Sequence, residues 1–263
     1  MLNFQSPSGS ASAAVSAKDG GRIASLVVDG MELLAPDTGV GPLAWGCYAM
    51  VPWAGRVREG HFRFGGSSYD LTINLPPHAI HGVGFERPWK VLADDQLGIE
   101  LAQPWPFGGT ATQSFQLTDD SMRMTVIAKA GTQVMPVVLG WHPCLRRLLT
   151  RGGSAELTFD PGWMWQRDSS GIPDGTRVSP TPGPWDDAFG GVTTAPSIRW
   201  PGAIQLTFET DSRAWIVYTE RDDQICVEPQ TAIPNAFNFG EPPVVNPGES
   251  TELTLTLRWT ADQ

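Results

Sequence analysis

The chain has 263 residues, a formal net charge of −10 and a sequence pI near 4.8. A chain this acidic repels polyphosphates and anionic lipid surfaces, which argues against nucleic acids and membranes as partners. The length is typical of one large all-β domain, here residues 1–263.

The first half of the chain predicts strands joined by tight turns. Residues 1–20 lack the basic start and apolar run of a signal peptide, and no run of roughly eighteen apolar residues follows. We therefore expect a cytoplasmic protein without a transmembrane helix. Residues 23–34 read as a hairpin around Asp29-Gly30, and residues 62–71 fold back at Gly65-Gly66.

Three basic side chains interrupt this pattern next to turn residues. Arg56 follows Gly55 and precedes a strand-like stretch, and His81 lies in a loop rich in Gly and Pro. His142 comes at the end of the apolar run that contains Leu139. We expect both histidines at strand ends, where a sheet can hold polar groups in fixed positions around a ligand.

The second half also favours strands. Residues 122–129, 204–209 and 253–259 alternate apolar and polar side chains, and no long helical stripe occurs among the 29 Gly and 23 Pro of the chain. Residues 169–201 are dense in Pro, Gly, Asp and Thr, which predicts one long loop or several short ones. Asp186 lies within this segment, and long ordered loops are often functional.

Glu228 is the strongest candidate for a catalytic group. It follows a short apolar run and precedes a turn-rich segment. A Glu that ends a strand and faces a cavity has the geometry of a general base, because partial desolvation raises its pKa toward neutrality. Considered alone, a single Glu is more often a solvated surface charge.

Five segments, in order along the chain, together resemble the aldose 1-epimerase (galactose mutarotase) family. The matching features are Arg56 with Phe62 on the next strand, the His81-Gly82 loop, His142, Asp186 three residues before Phe189, and Glu228 in a Glu-Pro-Gln-Thr stretch. The sequence departs from the family pattern where Gly55 replaces an Asn and Val83 replaces a second Gly.

This resemblance implies a large antiparallel β-sandwich of the galactose-mutarotase type, also called a supersandwich, with a cleft across one sheet. It implies the interconversion of the α and β anomers of a hexose, with a small-molecule sugar as substrate and no metal or organic cofactor. Glu228 would be the base and His142 the acid. His81 and Arg56 would donate hydrogen bonds to substrate oxygens, and Asp186 would bind sugar hydroxyls.

Two residues beside His142 have alternative interpretations. Trp141 stands where many family members have Asn, and its ring either stacks on a sugar face or packs in the core. Cys144 lies two residues after His142, as Cys226 lies two before Glu228, so a Cys–His nucleophile pair is an alternative to small buried thiols. The three cysteines show neither a disulfide framework nor a zinc spacing.

Two other functions stay open from the sequence. An enzyme for hexose 6-phosphates would need a basic cluster at the cleft mouth, for which the candidates are Arg58, Arg87, Arg146 and Arg147. A non-catalytic sugar-binding protein could use the same fold, although it would not need both an acid and a base. Neither the aldose nor the oligomeric state follows from the sequence.

Overall fold

The computed structural model describes residues 1–239 and 242–262, and these form strands with two short 3₁₀ turns at Arg58–Gly60 and Ala236–Asn238. The strands in chain order are β1 (Leu2–Gln5), β2 (Ala11–Ser16), β3 (Arg22–Val28), β4 (Met31–Glu32), β5 (Cys47–Met50), β6 (Arg56–Val57), β7 (His61–Phe64), β8 (Ser67–Asp70), β9 (Ala79–Ile80), β10 (Lys90–Ala93), β11 (Gln96–Glu100), β12 (Thr110–Leu117), β13 (Ser121–Lys129), β14 (Met135–Pro136), β15 (Gly140–Arg146), β16 (Glu156–Thr158), β17 (Trp163–Arg167), β18 (Pro173–Val178), β19 (Asp186–Gly190), β20 (Ser197–Trp200), β21 (Ile204–Glu209), β22 (Ala214–Tyr218), β23 (Gln224–Gln230), β24 (Val244–Val245) and β25 (Ser250–Ala261).

Two large antiparallel sheets pack against each other. The first has eleven strands in the order β1-β2-β3-β5-β15-β23-β22-β19-β17-β18, with β4 paired to β3. The second has eight, in the order β10-β11-β12-β13-β25-β21-β20-β16. Side chains join the sheets across the core, where Cys47 Sγ lies 3.6 Å from Met124 Sδ and Trp141 Nε1 donates to Leu253 O at 3.2 Å. The expected β-sandwich is therefore confirmed.

The predicted hairpins are confirmed, since β3 and β4 flank Asp29-Gly30 and β7 and β8 flank Gly65-Gly66. The three alternating segments form β13, β21 and β25. Within the described ranges, no helix is long and apolar enough to cross a membrane.

The expectation of loop throughout residues 169–201 is wrong. This segment contains β18, β19 and β20, and Asp186 begins β19 rather than lying on a loop. Strand β18 contains Pro173 and Gly175 and lies at the edge of the eleven-stranded sheet. An edge strand tolerates such residues because one side of it forms no ladder hydrogen bonds, so composition alone hides it.

Alternation along the central strands separates a core face from an outer face. In β15 the Trp141 side chain reaches the opposite sheet, so its neighbours His142 and Cys144 point outward. In β23 the apolar Val227 is buried in the core cluster, and Glu228 takes the outward direction. The outer face of the eleven-stranded sheet is thus where polar side chains gather.

A buried arginine ties a loop to this sheet. Arg22 is 1% exposed, and its guanidinium donates to the backbone oxygens of Asp19, Pro42 and Trp45 at 2.6–3.0 Å. The guanidinium carbon also lies 4.7 Å from the ring centre of Tyr48. These contacts fix residues 42–45, which border the outer face.

Arg22→Met should lower the free energy of unfolding by at least about 3 kcal/mol, because three carbonyl oxygens lose the charged donor that they share. Chemical denaturation measures this loss. Arg63→Met is the matched control, since Arg63 is exposed and should change stability little. Equal unfolding free energies for the two variants would contradict the tethering role.

Candidate active site

A cavity of about 390 Å³ opens on the outer face of the eleven-stranded sheet. Its floor is formed by side chains of β15, β23, β22 and β19, and its walls come from loops near β6, β9 and residue 234. The residues that line it are Leu43, Ala44, Gly55, Arg56, Leu75, Ile80, His81, His142, Asp186, Ile216, Tyr218, Glu220, Arg221, Gln224, Cys226, Glu228, Gln230 and Pro234.

An acid–base pair occupies the floor of this cavity. Strands β15 and β23 pair Gly140 with Gln230 and Cys144 with Cys226, and this register puts His142 opposite Glu228. His142 Nε2 lies 3.1 Å from Glu228 Oε1, and the two side chains are only 10% and 4% exposed. Such a pair can exchange a proton with little movement.

Burial and the charge of the partner shift the pKa values of Glu228 and His142 into a range where one can be a base and the other an acid. Burial raises the pKa of Glu228 to about 7, although the positive charge of His142 acts to lower it. Burial acts against protonation of His142, but the charges of Glu228 and Cys144 outweigh it and raise the pKa of His142 to about 9. Between these values a carboxylate base and an imidazolium acid coexist.

His81 faces the pair from the loop above it. Its ring centre lies 5.2 Å from that of His142, and its Nδ1 accepts a hydrogen bond from the backbone N–H of Gly55 at 3.2 Å. Burial, with the nearby charges of His142 and Arg56, holds the pKa of His81 well below its usual value. His81 is therefore neutral and carries its proton on Nε2, as a hydrogen-bond donor.

The loop conformation at His81 depends on the residue that follows it. His81 and Gly82 both have left-handed backbone conformations, with φ of 59° and 78°. A Cβ on Gly82 would lie 2.0 Å from the carbonyl oxygen of Val51, so only glycine fits.

Arg56 and Asp186 form an ion pair at the cavity wall. Arg56 Nη2 lies 3.1 Å from Asp186 Oδ2, and its Nη1 donates to Gly171 O at 3.2 Å. Asp186 also contacts Arg167 at 3.4 Å, while Arg167 Nε lies 2.8 Å from Asp187 Oδ1. Both Arg56 and Asp186 are partly exposed and line the cavity, so a ligand can reach them.

Sequence reasoning missed two neighbours of the pair, Tyr48 and Gln230, and left open whether Cys144 contacts His142. Tyr48, opposite His142 on β5, stacks on its ring at a centroid distance of 4.6 Å. Gln230 Nε2 donates to Glu228 Oε2 at 3.4 Å. Cys144 Sγ lies 3.3 Å from His142 Nδ1. Strand alternation indicated that residues two apart share a face, but cross-strand contacts require the register.

The structure brings five of the six predicted site residues to one cavity: Glu228, His142, His81, Arg56 and Asp186. Two details of the prediction are wrong. Glu228 and His142 lie within β23 and β15 rather than at strand ends. Trp141 does not contact the cavity, because it precedes His142 on the same strand and points the other way, with 0% exposure.

The departures from the family pattern have local causes. A Cβ on Gly55 would lie 2.7 Å from Cγ of Pro234, so that proline fills the space a side chain would need. Val83 is 4% exposed and packs in the main core cluster.

Among the residues that the structure describes, two groups of side chains each offer three possible metal donors within 4.8 Å of one another. One comprises His81, His142 and Glu228, and the other His142, Cys144 and Cys226. The first is the acid–base site itself. The second lies beneath it, on the next rung of the sheet.

Comparison with known proteins identifies the family of this chain. The family model for aldose 1-epimerase matches residues 8–258. The chain belongs to the aldose 1-epimerase family. This membership supports an epimerase- or mutarotase-type activity on a sugar.

Relatives of this epimerase-family chain share its length and fold. It is 26% identical over 244 residues to protein YphB of Escherichia coli (strain K12), covering 81% of this chain and 84% of that protein. A galactose mutarotase-like protein of Clostridium acetobutylicum superposes with a TM-score of 0.85 at 17% identity, covering 96% and 93% of the two chains. Galactose 1-epimerase of Lactobacillus acidophilus NCFM gives a TM-score of 0.80 at 15% identity, covering 97% and 92%.

Trp141→Phe should destabilise the protein without changing KM for sugar. The indole of Trp141 donates a hydrogen bond to Leu253 O across the core and does not face the cavity. Trp53→Phe is the matched control, since Trp53 is buried but its Nε1 has no hydrogen-bond partner within the described residues. We expect Trp141→Phe to lower the free energy of unfolding by about 1 kcal/mol more than Trp53→Phe does, as measured by urea denaturation. A raised KM with unchanged stability would contradict this and indicate that Trp141 contacts the sugar.

Proposed function

We propose that this protein is an aldose 1-epimerase that interconverts the α and β anomers of a hexose. The observation that carries the proposal is the buried contact of 3.1 Å between His142 Nε2 and Glu228 Oε1 at a cavity floor. Ring opening moves one proton from the anomeric hydroxyl and one to the ring oxygen. Both oxygens are bonded to one carbon, so the base and the acid must be adjacent.

The proposed steps use this pair in both directions. Glu228 takes the proton of the anomeric hydroxyl while His142 donates its Nε2 proton to the ring oxygen, and the bond between the anomeric carbon and that oxygen breaks. The aldehyde rotates about the adjacent C–C bond. Closure on the other face reverses both transfers and regenerates carboxylate and imidazolium.

The remaining cavity residues have supporting roles in this proposal. Neutral His81 donates its Nε2 proton as a hydrogen bond to a substrate oxygen, and Arg56 stabilises negative charge that develops on oxygen. Asp186 accepts hydrogen bonds from sugar hydroxyls. The two proton transfers need only an acid and a base, so the proposed chemistry uses neither metal nor organic cofactor.

The arrangement of arginines favours a free sugar over a sugar phosphate. The four arginines suggested by the sequence are absent from the described cavity lining; for example, Arg58 pairs with Asp168 and Arg147 donates to backbone oxygens. The cavity arginines Arg56 and Arg221 pair with Asp186 and Asp223. A phosphate would have to displace these carboxylates.

We further propose that residues 1–263 act as one domain in the cytoplasm. Three free cysteines support a reducing compartment.

Glu228→Gln should keep the fold but lower the interconversion rate at least about 10²-fold, and His142→Asn should do the same, because each removes one partner in proton transfer. Polarimetry of freshly dissolved α-anomers, across free aldoses and aldose phosphates, measures the rate. Glu252→Gln, at an exposed position on β25, is the control. If Glu228→Gln binds sugar and turns over like wild type, the assignment fails. Sugar binding without any wild-type catalysis would favour the non-catalytic binder.

The pH profile of kcat/KM should be bell-shaped. Activity should fall as pH drops through about 7, because Glu228 becomes protonated and cannot act as a base. It should also fall as pH rises through about 9, because His142 loses the proton it donates. His142→Asn should lose the alkaline limb in its residual activity. An unchanged alkaline limb in that variant would move the acid role to another group.

Arg56→Lys should cost roughly 2 kcal/mol of transition-state stabilisation, because lysine lacks the planar fork that reaches two oxygens at once. Thermal stability should change little, since Asp186 keeps its contact with Arg167. Steady-state kinetics and thermal melting test the two parts, with Arg63→Lys as control. A variant with normal turnover that melts well below wild type would make Arg56 a structural residue.

A further inference from the structure

Two thiols and an imidazole nitrogen converge below the acid–base pair. Cys144 and Cys226 are direct cross-strand partners on β15 and β23, and their side chains share the outer face with His142. A ring nitrogen of His142, Cys144 Sγ and Cys226 Sγ all lie within 4.8 Å of one another, and His142 Nδ1 is the nitrogen 3.3 Å from Cys144 Sγ. Neither cysteine is in a disulfide, so both thiols are free to bind.

The spacing suits a tetrahedral soft metal. Zinc takes thiolate sulfur at about 2.3 Å and imidazole nitrogen at about 2.0–2.1 Å, which puts nitrogen and sulfur ligands roughly 3.5 Å apart. The distance between His142 Nδ1 and Cys144 Sγ is 3.3 Å, so small rotations of the side chains would complete the geometry. Three protein ligands leave a fourth position for water.

Burial and charge also favour a divalent cation here. The thiols are fully buried and packed by Ala35 and Tyr218, yet Cys226 adjoins the cavity, which gives a path from solvent. Two thiolates neutralise the charge of a divalent ion, so the occupied site adds no net charge to the buried region. Cys144 Sγ also lies 3.6 Å from the backbone oxygen of Leu43.

We propose that His142 Nδ1, Cys144 and Cys226 form a binding site for a soft divalent cation such as Zn²⁺, and that a bound cation prevents His142 from acting as the catalytic acid. The cation and the proposed proton transfer both use the imidazole ring of His142. With a metal on Nδ1, loss of the Nε2 proton would leave an imidazolate, so His142 can no longer donate that proton. The inhibitory part of the proposal rests on the proposed function, whereas metal binding does not.

The binding test uses Co²⁺ as the probe on reduced, chelator-treated protein. Wild type should bind one Co²⁺ per chain with thiolate-to-cobalt absorption in the near ultraviolet. Cys144→Ser and Cys226→Ser should each weaken binding at least about tenfold, since even outer contacts of a metal site contribute 10–100-fold. Cys47→Ser is the control, because that thiol faces the core and contacts Met124. No thiolate band, or a band equally strong in both site variants, overturns the site.

Circular dichroism tests whether each serine variant is folded. If a serine variant does not fold, the alanine variant at the same position, Cys144→Ala or Cys226→Ala, is used in its place. Polarimetry with and without Zn²⁺ then tests the switch, each variant being compared with its own metal-free rate. Zn²⁺ should lower the wild-type rate at least about 10²-fold, the scale for losing a positioned acid, and a chelator should restore it. The effect should persist in Cys47→Ser and be lost in Cys226→Ser.

The outcomes separate the two proposals. Cobalt binding with an unchanged rate on adding Zn²⁺ would overturn the switch. Cobalt binding by a protein that catalyses no interconversion even without metal would overturn the proposed function and the switch but support the metal site.

Discussion

The contact between Glu228 and His142 is the interaction on which the candidate site depends. Both side chains are almost fully buried, and a carboxylate or an imidazolium alone in that position would carry a large desolvation cost. As a pair they offset each other's charge. The pKa of Glu228 is about 7 and that of His142 is about 9, so between these values Glu228 is ionised and His142 is protonated. The reactive state is thus produced by burial and proximity together, and neither would suffice alone.

The sheet supplies that proximity through its register. Across the outer face, Tyr48, His142, Glu228 and Ile216 lie on one rung, and Cys144, Cys226, Tyr218 and Asp186 lie on the next. Strands fix the floor of the cavity, while the loops around Gly55 and His81 close over it. Their backbone geometry is set by glycines that admit close neighbours, Pro234 at Gly55 and the Val51 carbonyl at Gly82. The strands below and the loops above together hold the donors around the cavity.

Much of this could be predicted from the sequence, because period-two patterns are local. The hairpins and the long strand β25 followed from residues next to one another, and the polar residues Glu228 and His142 stood out against apolar runs. Register could not be predicted, since it joins segments far apart in the chain, so the stacking of Tyr48 on His142 was missed. The choice left open for Trp141, between a sugar contact and core packing, could have been made from the sequence. Adjacent residues in a strand face opposite ways, so Trp141 and His142 could not both face one cavity once His142 is placed inside a strand. Edge strand β18 was hidden by its Pro and Gly.

The protonation state of His142 tests the account most directly. In ¹⁵N NMR of the ring nitrogens, the His142 signals are identified among those of the four histidines as the set that is lost in His142→Asn. The account predicts that at pH 8 both nitrogens of His142 carry protons, that they titrate near pH 9, and that Glu228→Gln lowers this pKa. A neutral His142 ring at pH 8 in the wild-type protein, with a pKa that does not respond to Glu228→Gln, would contradict it.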